Sequence, residues 1–302
     1  MLAGIIGGLL SAFLQSVSYV LSRQYINKHK TPFELVVFSQ LVMGVFGALT
    51  IPLILPFTRF PLTPLFCGML LICVIAFMAG QFGFFQTLRE LEASRLSSLL
   101  GLKIIVLAII CMVITRSSLH FLQWMAIILC AVGAVGMNFT GGRITLKAAS
   151  WLGFTLLMYA TCDILEAELI WRMPGQSIIV NSTAVAALMY LLLGILTIPF
   201  LLKYPWNRTK CKDAFPYAVT WYAAMILIYL CYSSLGPVYG NIIQASRGII
   251  SVLIGAWLLH LGMEHLEPRV DRKAWMRRFL MAVVMIVAMC LYSYARTLLV
   301  QQ

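Results

Sequence analysis

Long apolar runs, separated by short polar stretches, follow one another along the whole chain. Each run is close to the roughly 20 residues that an α-helix needs to cross a hydrocarbon layer about 30 Å thick. The longest polar connections, 203–215 and 262–273, are too short to fold by themselves. The pattern predicts ten membrane-spanning helices, spans 1 to 10, at about 2–22, 33–55, 64–88, 93–114, 119–139, 149–171, 178–202, 215–235, 238–262 and 274–295.

Composition agrees with an all-α polytopic membrane protein that has no soluble domain. Of the 302 residues, 62% are hydrophobic and 11% are charged, a balance that one water-soluble core could not bury. The net charge of +12 raises the possibility of nucleic-acid binding, but no basic domain exists to carry it. We therefore interpret the charge as cationic loops that face anionic lipid headgroups, and we expect no nucleic-acid partner.

Three short sequences recur in the same order in the two halves of the chain. Their nearly constant offset predicts two repeats of five spans, residues 1–142 and 143–302. The recurring pairs are Gly47–Pro52 with Gly194–Pro199 (offset 147), Ala93–Arg95 with Ala245–Arg247 (offset 152), and Trp124-Met125 with Trp275-Met276 (offset 151).

An odd number of spans in each half has a consequence for function. The second half must enter the membrane from the side opposite to the first, so the repeats are inverted. Two similar bundles of opposite orientation can open a shared site to either side in turn, and many secondary transporters are built in this way. The architecture therefore favours transport by alternating access.

The run Leu88-Arg89-Glu90-Leu91-Glu92-Ala93-Ser94-Arg95-Leu96 joins spans 3 and 4. Together with ten short-looped spans in a duplicated arrangement, it resembles the drug/metabolite transporter superfamily, EamA type. The resemblance implies a central cavity lined mainly by spans 1, 3, 4, 6, 8 and 9, and export or uptake of small metabolites. Family members often carry a glutamate between spans 4 and 5, where this chain has Thr115–Ser118.

Lysines and arginines are distributed unevenly between the two sides of the membrane. Sixteen of the 22 lie in odd-numbered connections and four in even-numbered connections or at the C-terminus. Because cationic loops stay in the cytoplasm, this bias predicts both termini outside. The family resemblance more often implies both termini inside. We expect a bacterial inner-membrane protein in either case.

Four charged residues fall inside predicted spans, namely Lys103, Asp163, Glu166 and Arg247. A charge at mid-bilayer costs roughly 2.5–3.5 kcal/mol on insertion scales, so such residues normally face the bundle interior. Lys103 either lines the cavity or reaches an interface, and Arg247 either lines it or clamps two helices. Asp163 either pairs with one of these cations or acts as a functional carboxylate, whereas Glu166 is more typical of a structural or interfacial residue.

These charges suggest which solute the protein binds. Arginine offers a bidentate fork to a carboxylate, and an acidic side chain can accept an amine or a proton, so an amino-acid-like, zwitterionic or acidic solute is favoured. Because burial disfavours the charged form of a carboxylate, Asp163 and Glu166 are candidates for proton coupling. The predicted solute-binding residues are Lys103, Arg247, Asp163, Gln244, Asn241, Gln81, Tyr159 and Tyr239.

Other functions remain open at this point. A multidrug or lipophilic-cation exporter, or a translocase of lipids or lipid-linked sugars, would have the same architecture. An integral membrane enzyme is less favoured, because the four histidines and ten acids form no catalytic or metal-binding pattern. The eight cysteines sit singly, and no Walker A sequence is present, so we expect no metal, cofactor or direct ATP coupling. The expected partners are a small-molecule solute and the lipid bilayer, with the chain a monomer or a homodimer.

Overall fold

The computed structural model describes residues 2–88, 90–91, 96, 99–116, 119–137, 144–175, 177–260 and 272–300. All regular secondary structure within these ranges is helical. Helices satisfy their own backbone hydrogen bonds, which lipid cannot do for them. The prediction of an all-α polytopic membrane protein is confirmed.

The helices follow the apolar runs closely, with two short 3₁₀ segments at Leu100–Leu102 and Ile198–Leu202. The α-helices are α1 (Leu2–His29), α2 (Pro32–Ile54), α3 (Pro64–Leu88), α4 (Lys103–Thr115), α5 (Phe121–Met137), α6 (Leu146–Trp171), α7 (Ile178–Thr197), α8 (Arg208–Leu235), α9 (Pro237–Gln244), α10 (Arg247–His260) and α11 (Arg272–Val300).

Seven of the described helices are long and apolar enough to cross a membrane: α1, α2, α3, α6, α7, α8 and α11. Spans 4 and 5 contain the shorter apolar helices α4 and α5. Span 9 is divided at Ala245-Ser246 into α9 and α10, a break that periodicity alone did not predict. The repeat segment 93–95, most of the 88–96 run, and the boundary at 142–143 lie largely outside the described residues.

A tight turn connects α8 to α9. Gly236 has a φ of 85°, a backbone conformation that glycine adopts without the steric cost that other residues meet. Pro237 follows as the first residue of α9, where its missing N–H breaks no helical hydrogen bond. The turn starts α9 in the direction that carries Asn241 into the bundle.

The largest interfaces each join a helix of the first predicted half to one of the second. They pair α1 with α8, α2 with α7, α3 with α6, and α5 with α11. Helices of the two predicted halves therefore alternate around a shared interior, and the candidate site residues lie where α1, α4, α6, α8, α9 and α10 meet this interior.

Glycines allow α2 and α7 to touch along their backbones. A Cβ atom added to Gly44 would lie 2.8 Å from the Cα of Gly194, and one added to Gly194 would lie 2.7 Å from the Cα of Gly44. Small residues permit this close approach, which brings helices together in lipid through van der Waals packing.

Ion pairs join α1 and α2 to the start of α8 at one end of the bundle. The Asp213 carboxylate lies 2.8 Å from Lys28 Nζ and 2.7 Å from His29 Nε2. Glu34 of α2 lies 2.6 Å from Lys210 Nζ. These contacts join the cationic connection between α1 and α2 to the cationic connection that leads into α8.

Candidate solute-binding site

An ion pair between two intramembrane residues lies at the centre of the candidate site. Lys103 Nζ lies 2.7 Å from Asp163 Oδ2, and Asn241 Nδ2 donates a hydrogen bond of 2.8 Å to the same oxygen. Asn241 Nδ2 also lies 3.1 Å from the Tyr232 hydroxyl and 2.9 Å from the Pro237 carbonyl oxygen. The structure thus brings together three predicted site residues, and Lys103 and Asp163 are partners.

Three separate helices position this group. Lys103 is the first residue of α4, directly after the 3₁₀ turn Leu100–Leu102, in which Gly101 packs against the Ala134 side chain of α5. Asp163 comes from the second half of α6, where it is 8% exposed. Asn241 comes from the short helix α9. The ion pair therefore depends on the relative placement of α4, α6 and α9.

Glu166 lies one turn beyond Asp163 on α6 but has a different set of partners. Its Oε1 accepts a hydrogen bond of 2.6 Å from the Tyr229 hydroxyl and one of 3.3 Å from Cys162 Sγ. The residue is 2% exposed, which agrees with the structural interpretation that the sequence left open and not with the interfacial one. Among the described residues its other oxygen, Oε2, is buried without a hydrogen-bond partner.

Arg247 begins α10, immediately after the break in span 9. Its Nη1 donates to Gln15 Oε1 at 2.8 Å and to the Tyr19 hydroxyl at 3.2 Å, and its guanidinium carbon lies 5.3 Å from the centre of the Tyr19 ring. No carboxylate of the described residues forms an ion pair with it. The amino end of a helix carries partial positive charge, which adds to the attraction that this position has for an anion.

Four aromatic side chains, which we call the aromatic wall, adjoin these two groups: Tyr19, Tyr159, Tyr217 and Trp221. The Trp221 ring centre is 6.1 Å from that of Tyr19 and 5.8 Å from that of Tyr217. Tyr159 is close enough to Tyr19, Tyr217 and Asp163 to interact with all three electrostatically. Gly80 of α3 leaves room for its ring, since a Cβ there would lie 2.6 Å from Tyr159 carbons.

The remaining predicted residues occupy other positions. Gln244 is buried at the end of α9, and neither polar atom of its amide has a partner among the described residues. Gln81 is half-buried on α3, next to Gly80. Tyr239 packs towards α11, with its ring stacked on Tyr292 at 5.1 Å between centres.

Sequence reasoning missed Gln15 and Tyr19, the two side chains that hold Arg247. Gln15 offered a signal, because an amide inside an otherwise apolar run needs a polar partner in lipid. The same reasoning applies to Gln40 of α2, which is also buried. No sequence pattern indicates that the partner of Gln15 is 232 residues away.

Comparison with known proteins agrees with this geometry. Residues 2–139 match the model of the EamA-like transporter family. Over these residues the chain resembles that family. The predicted resemblance to the drug/metabolite transporter superfamily is confirmed, and the match agrees with the broad assignment as an integral membrane transporter. The match to a transporter family also fits the expectation that the protein is not an enzyme.

A solved protein crystal structure has the same fold as this chain. The TM-score is 0.68 and the sequence identity 12%, over 98% of each chain. At this identity the likeness shows the fold alone. No curated protein matches the chain in sequence.

Proposed function

We propose that the protein is a secondary transporter that moves a small zwitterionic or acidic metabolite across the membrane by alternating access. The solute binds between the Lys103–Asp163 pair and Arg247, against the aromatic wall. The energy comes from a proton gradient or from the gradient of the solute itself, with Asp163 and Glu166 as the predicted coupling residues.

The ion pair between Lys103 and Asp163 carries this proposal. A buried ammonium and carboxylate stabilise each other, and neither tolerates the loss of its partner in lipid. A solute that has both a carboxylate and an ammonium group can replace each partner by a group of the same charge. Exchange of partners leaves no buried charge unpaired, whereas a lipophilic monocation would leave Lys103 without an anion.

Arg247 supports an anionic group on the solute. Its described partners, Gln15 and Tyr19, are neutral, so its charge is not balanced by a contacting acid. A guanidinium offers five donors in a planar fork that matches a carboxylate. The aromatic wall, which adjoins both charged groups, suits a solute with an apolar portion.

Alternating access is supported by the pattern of the largest interfaces, which pair α1 with α8, α3 with α6, α2 with α7, and α5 with α11. The proposed repeats 1–142 and 143–302 equate α1 with α6, α2 with α7, α3 with α8, and α5 with α11. Exchange of the halves therefore converts the α1–α8 interface into the α6–α3 interface and leaves the other two pairs unchanged. This agreement supports the proposed repeats and a two-fold relation between them.

A thermal-shift screen of the purified protein tests the solute class. A ligand at 100 times its Kd stabilises the folded state by about 2.7 kcal/mol, because it binds that state alone. We expect amino acids or organic acids to raise the melting temperature of the wild type but not of Arg247→Ala. Stabilisation by lipophilic cations or lipids only, equal in both proteins, would contradict the proposal and favour a drug exporter or lipid translocase.

Flux into liposomes then tests transport and coupling. The stabilising solute should accumulate in vesicles that contain the wild-type protein, and a pH gradient across the membrane should change the rate if protons are coupled. Asp163→Asn should remove that pH dependence if Asp163 is the coupling residue. Absence of solute flux under every gradient would contradict a transport function.

A further inference from the structure

Two thiols and a carboxylate meet where α3 packs against α6. Cys73 Sγ of α3 lies 3.6 Å from Cys162 Sγ of α6, and Cys162 Sγ lies 3.3 Å from Glu166 Oε1. The three possible ligand atoms all lie within 4.8 Å of one another. The cluster lies beside the ion pair, since Asp163 follows Cys162 directly in sequence, but it shares no residue with that pair.

The spacing matches that of a tetrahedral metal site. With Zn–S bonds of about 2.3 Å and a Zn–O bond of about 2.0 Å, tetrahedral angles place two sulfurs about 3.8 Å apart and a sulfur and an oxygen about 3.5 Å apart. Two of the three distances in the cluster, the observed 3.6 and 3.3 Å, are within about 0.2 Å of these values. The third pair, Cys73 Sγ and the Glu166 carboxylate, lies within 4.8 Å, so rotation of the Glu166 side chain would complete a ligand set for a metal ion that prefers sulfur.

Burial and charge also favour such an ion. Cys73, Cys162 and Glu166 are all buried, and Glu166 Oε2 has no partner among the described residues. A buried polar atom without a partner is costly, and an ion that Glu166 binds through both carboxylate oxygens would satisfy it. A divalent cation replaces the two thiol protons, so its binding adds no net charge to this interior.

We propose that Cys73, Cys162 and Glu166 form a binding site for a thiophilic divalent metal ion such as Zn²⁺ or Cd²⁺. On binding, each thiol releases its proton to solvent and each sulfur forms one bond to the ion, while Glu166 supplies an oxygen ligand. The bound ion joins α3 to α6, which belong to different predicted halves, and prevents them from moving apart. The metal site does not depend on the proposed function, whereas the arrest of transport by the bound ion rests on that function.

Cadmium binding to the purified protein tests the site directly. Cadmium thiolates absorb in the ultraviolet, so titration of the wild type with Cd²⁺ should give a saturable absorption band equivalent to one ion per chain. Cys73→Ser and Cys162→Ser should lose this band. Glu166→Gln should keep the band but weaken Cd²⁺ binding by at least about tenfold, because even the loss of a residue that only supports a metal ligand weakens affinity by roughly 10–100-fold.

Cys130→Ser is the matched control, because Cys130 is equally buried on α5 but lies outside the cluster. It should bind Cd²⁺ as the wild type does. The melting temperatures of Cys73→Ala and Cys162→Ala are measured without metal. An unchanged melting temperature shows that the variant has lost a metal ligand and has kept its fold. Absence of the band in the wild type, or its persistence in folded Cys73 and Cys162 variants, would overturn the site.

The effect on transport is measured separately. Cd²⁺ should inhibit solute flux by the wild type and by Cys130→Ser, and should leave flux by Cys73→Ala unchanged. A wild type that binds Cd²⁺ but transports at the same rate would overturn the restraint between α3 and α6. A wild type that binds Cd²⁺ and never transports any solute would contradict the proposed function and leave the metal site in place.

Discussion

Lys103 of α4 and Asp163 of α6 form one buried ion pair, with 2.7 Å between Nζ and Oδ2. The side chains are 21% and 11% exposed, and Asn241 of α9 holds the same carboxylate oxygen. The pair therefore links three helices of the interior through a single atom. Any change that opens the space between α4, α6 and α9 must break this contact or replace it.

Removal of either charge alone should destabilise the protein. Lys103→Met and Asp163→Asn each leave an unpaired charge or an unmatched polar group, and breaking a buried pair in this way costs about 3–5 kcal/mol. The double variant should recover most of that loss, because no charge remains to be buried. Thermal unfolding in detergent measures this effect. A double variant as unstable as the single ones would show that the two residues do not act as a pair.

Arg247→Lys should weaken solute binding without unfolding the protein. Lysine keeps the charge but loses the planar fork that matches a carboxylate, of which only Nη1 donates to Gln15 and Tyr19. We expect at least a tenfold increase in Kd for a carboxylate solute, with little change in melting temperature. Arg172→Lys is the control, since Arg172 pairs with Glu168 near the end of α6 and is largely exposed. Equal effects of the two substitutions would remove the reason to place Arg247 at the site.

The contact between α2 and α7 should not tolerate an added methyl group. Gly44→Ala forces the two backbones apart. Overpacking of this kind typically destabilises a protein by about 1–3 kcal/mol. Gly68→Ala is the matched control, because a Cβ at this helical position meets nothing within 4 Å. It should be neutral or stabilise the helix by up to about 1 kcal/mol. Melting temperatures that fall equally in both variants would contradict the close packing at Gly44.

The distribution of charge predicts an orientation that can be measured in whole cells. With both termini outside, a cysteine at exposed Arg59 should react with a membrane-impermeant maleimide, whereas one at exposed Trp206 should not. Both are introduced into a variant in which the exposed Cys67 and Cys290 are replaced by serine. The reverse labelling pattern would show that both termini lie inside, as the family resemblance more often implies.

Several parts of the candidate site could be predicted because membrane burial makes charge conspicuous. Lys103, Asp163 and Arg247 stand out in apolar runs, and the expectation that Asp163 would pair with a cation was one of two interpretations that the sequence left open. For Glu166 the sequence left a structural and an interfacial position open, because its spacing from Asp163 does not indicate how deeply α6 is covered by α3 and α8. The break at Ala245-Ser246 was missed, since neither residue is a strong helix breaker in an apolar run.

The sequence by itself determined that this is a helical membrane protein, because apolar runs of bilayer length can bury their backbone in lipid only as helices. It also determined which residues carry charge inside the membrane. Only the tertiary structure decided their partners. Cys73 and Cys162 are 89 residues apart, and Arg247 and Gln15 are 232 apart, so no local spacing relates them. They meet because helices from the two halves pack against each other, and this packing depends on side-chain shapes all along each interface.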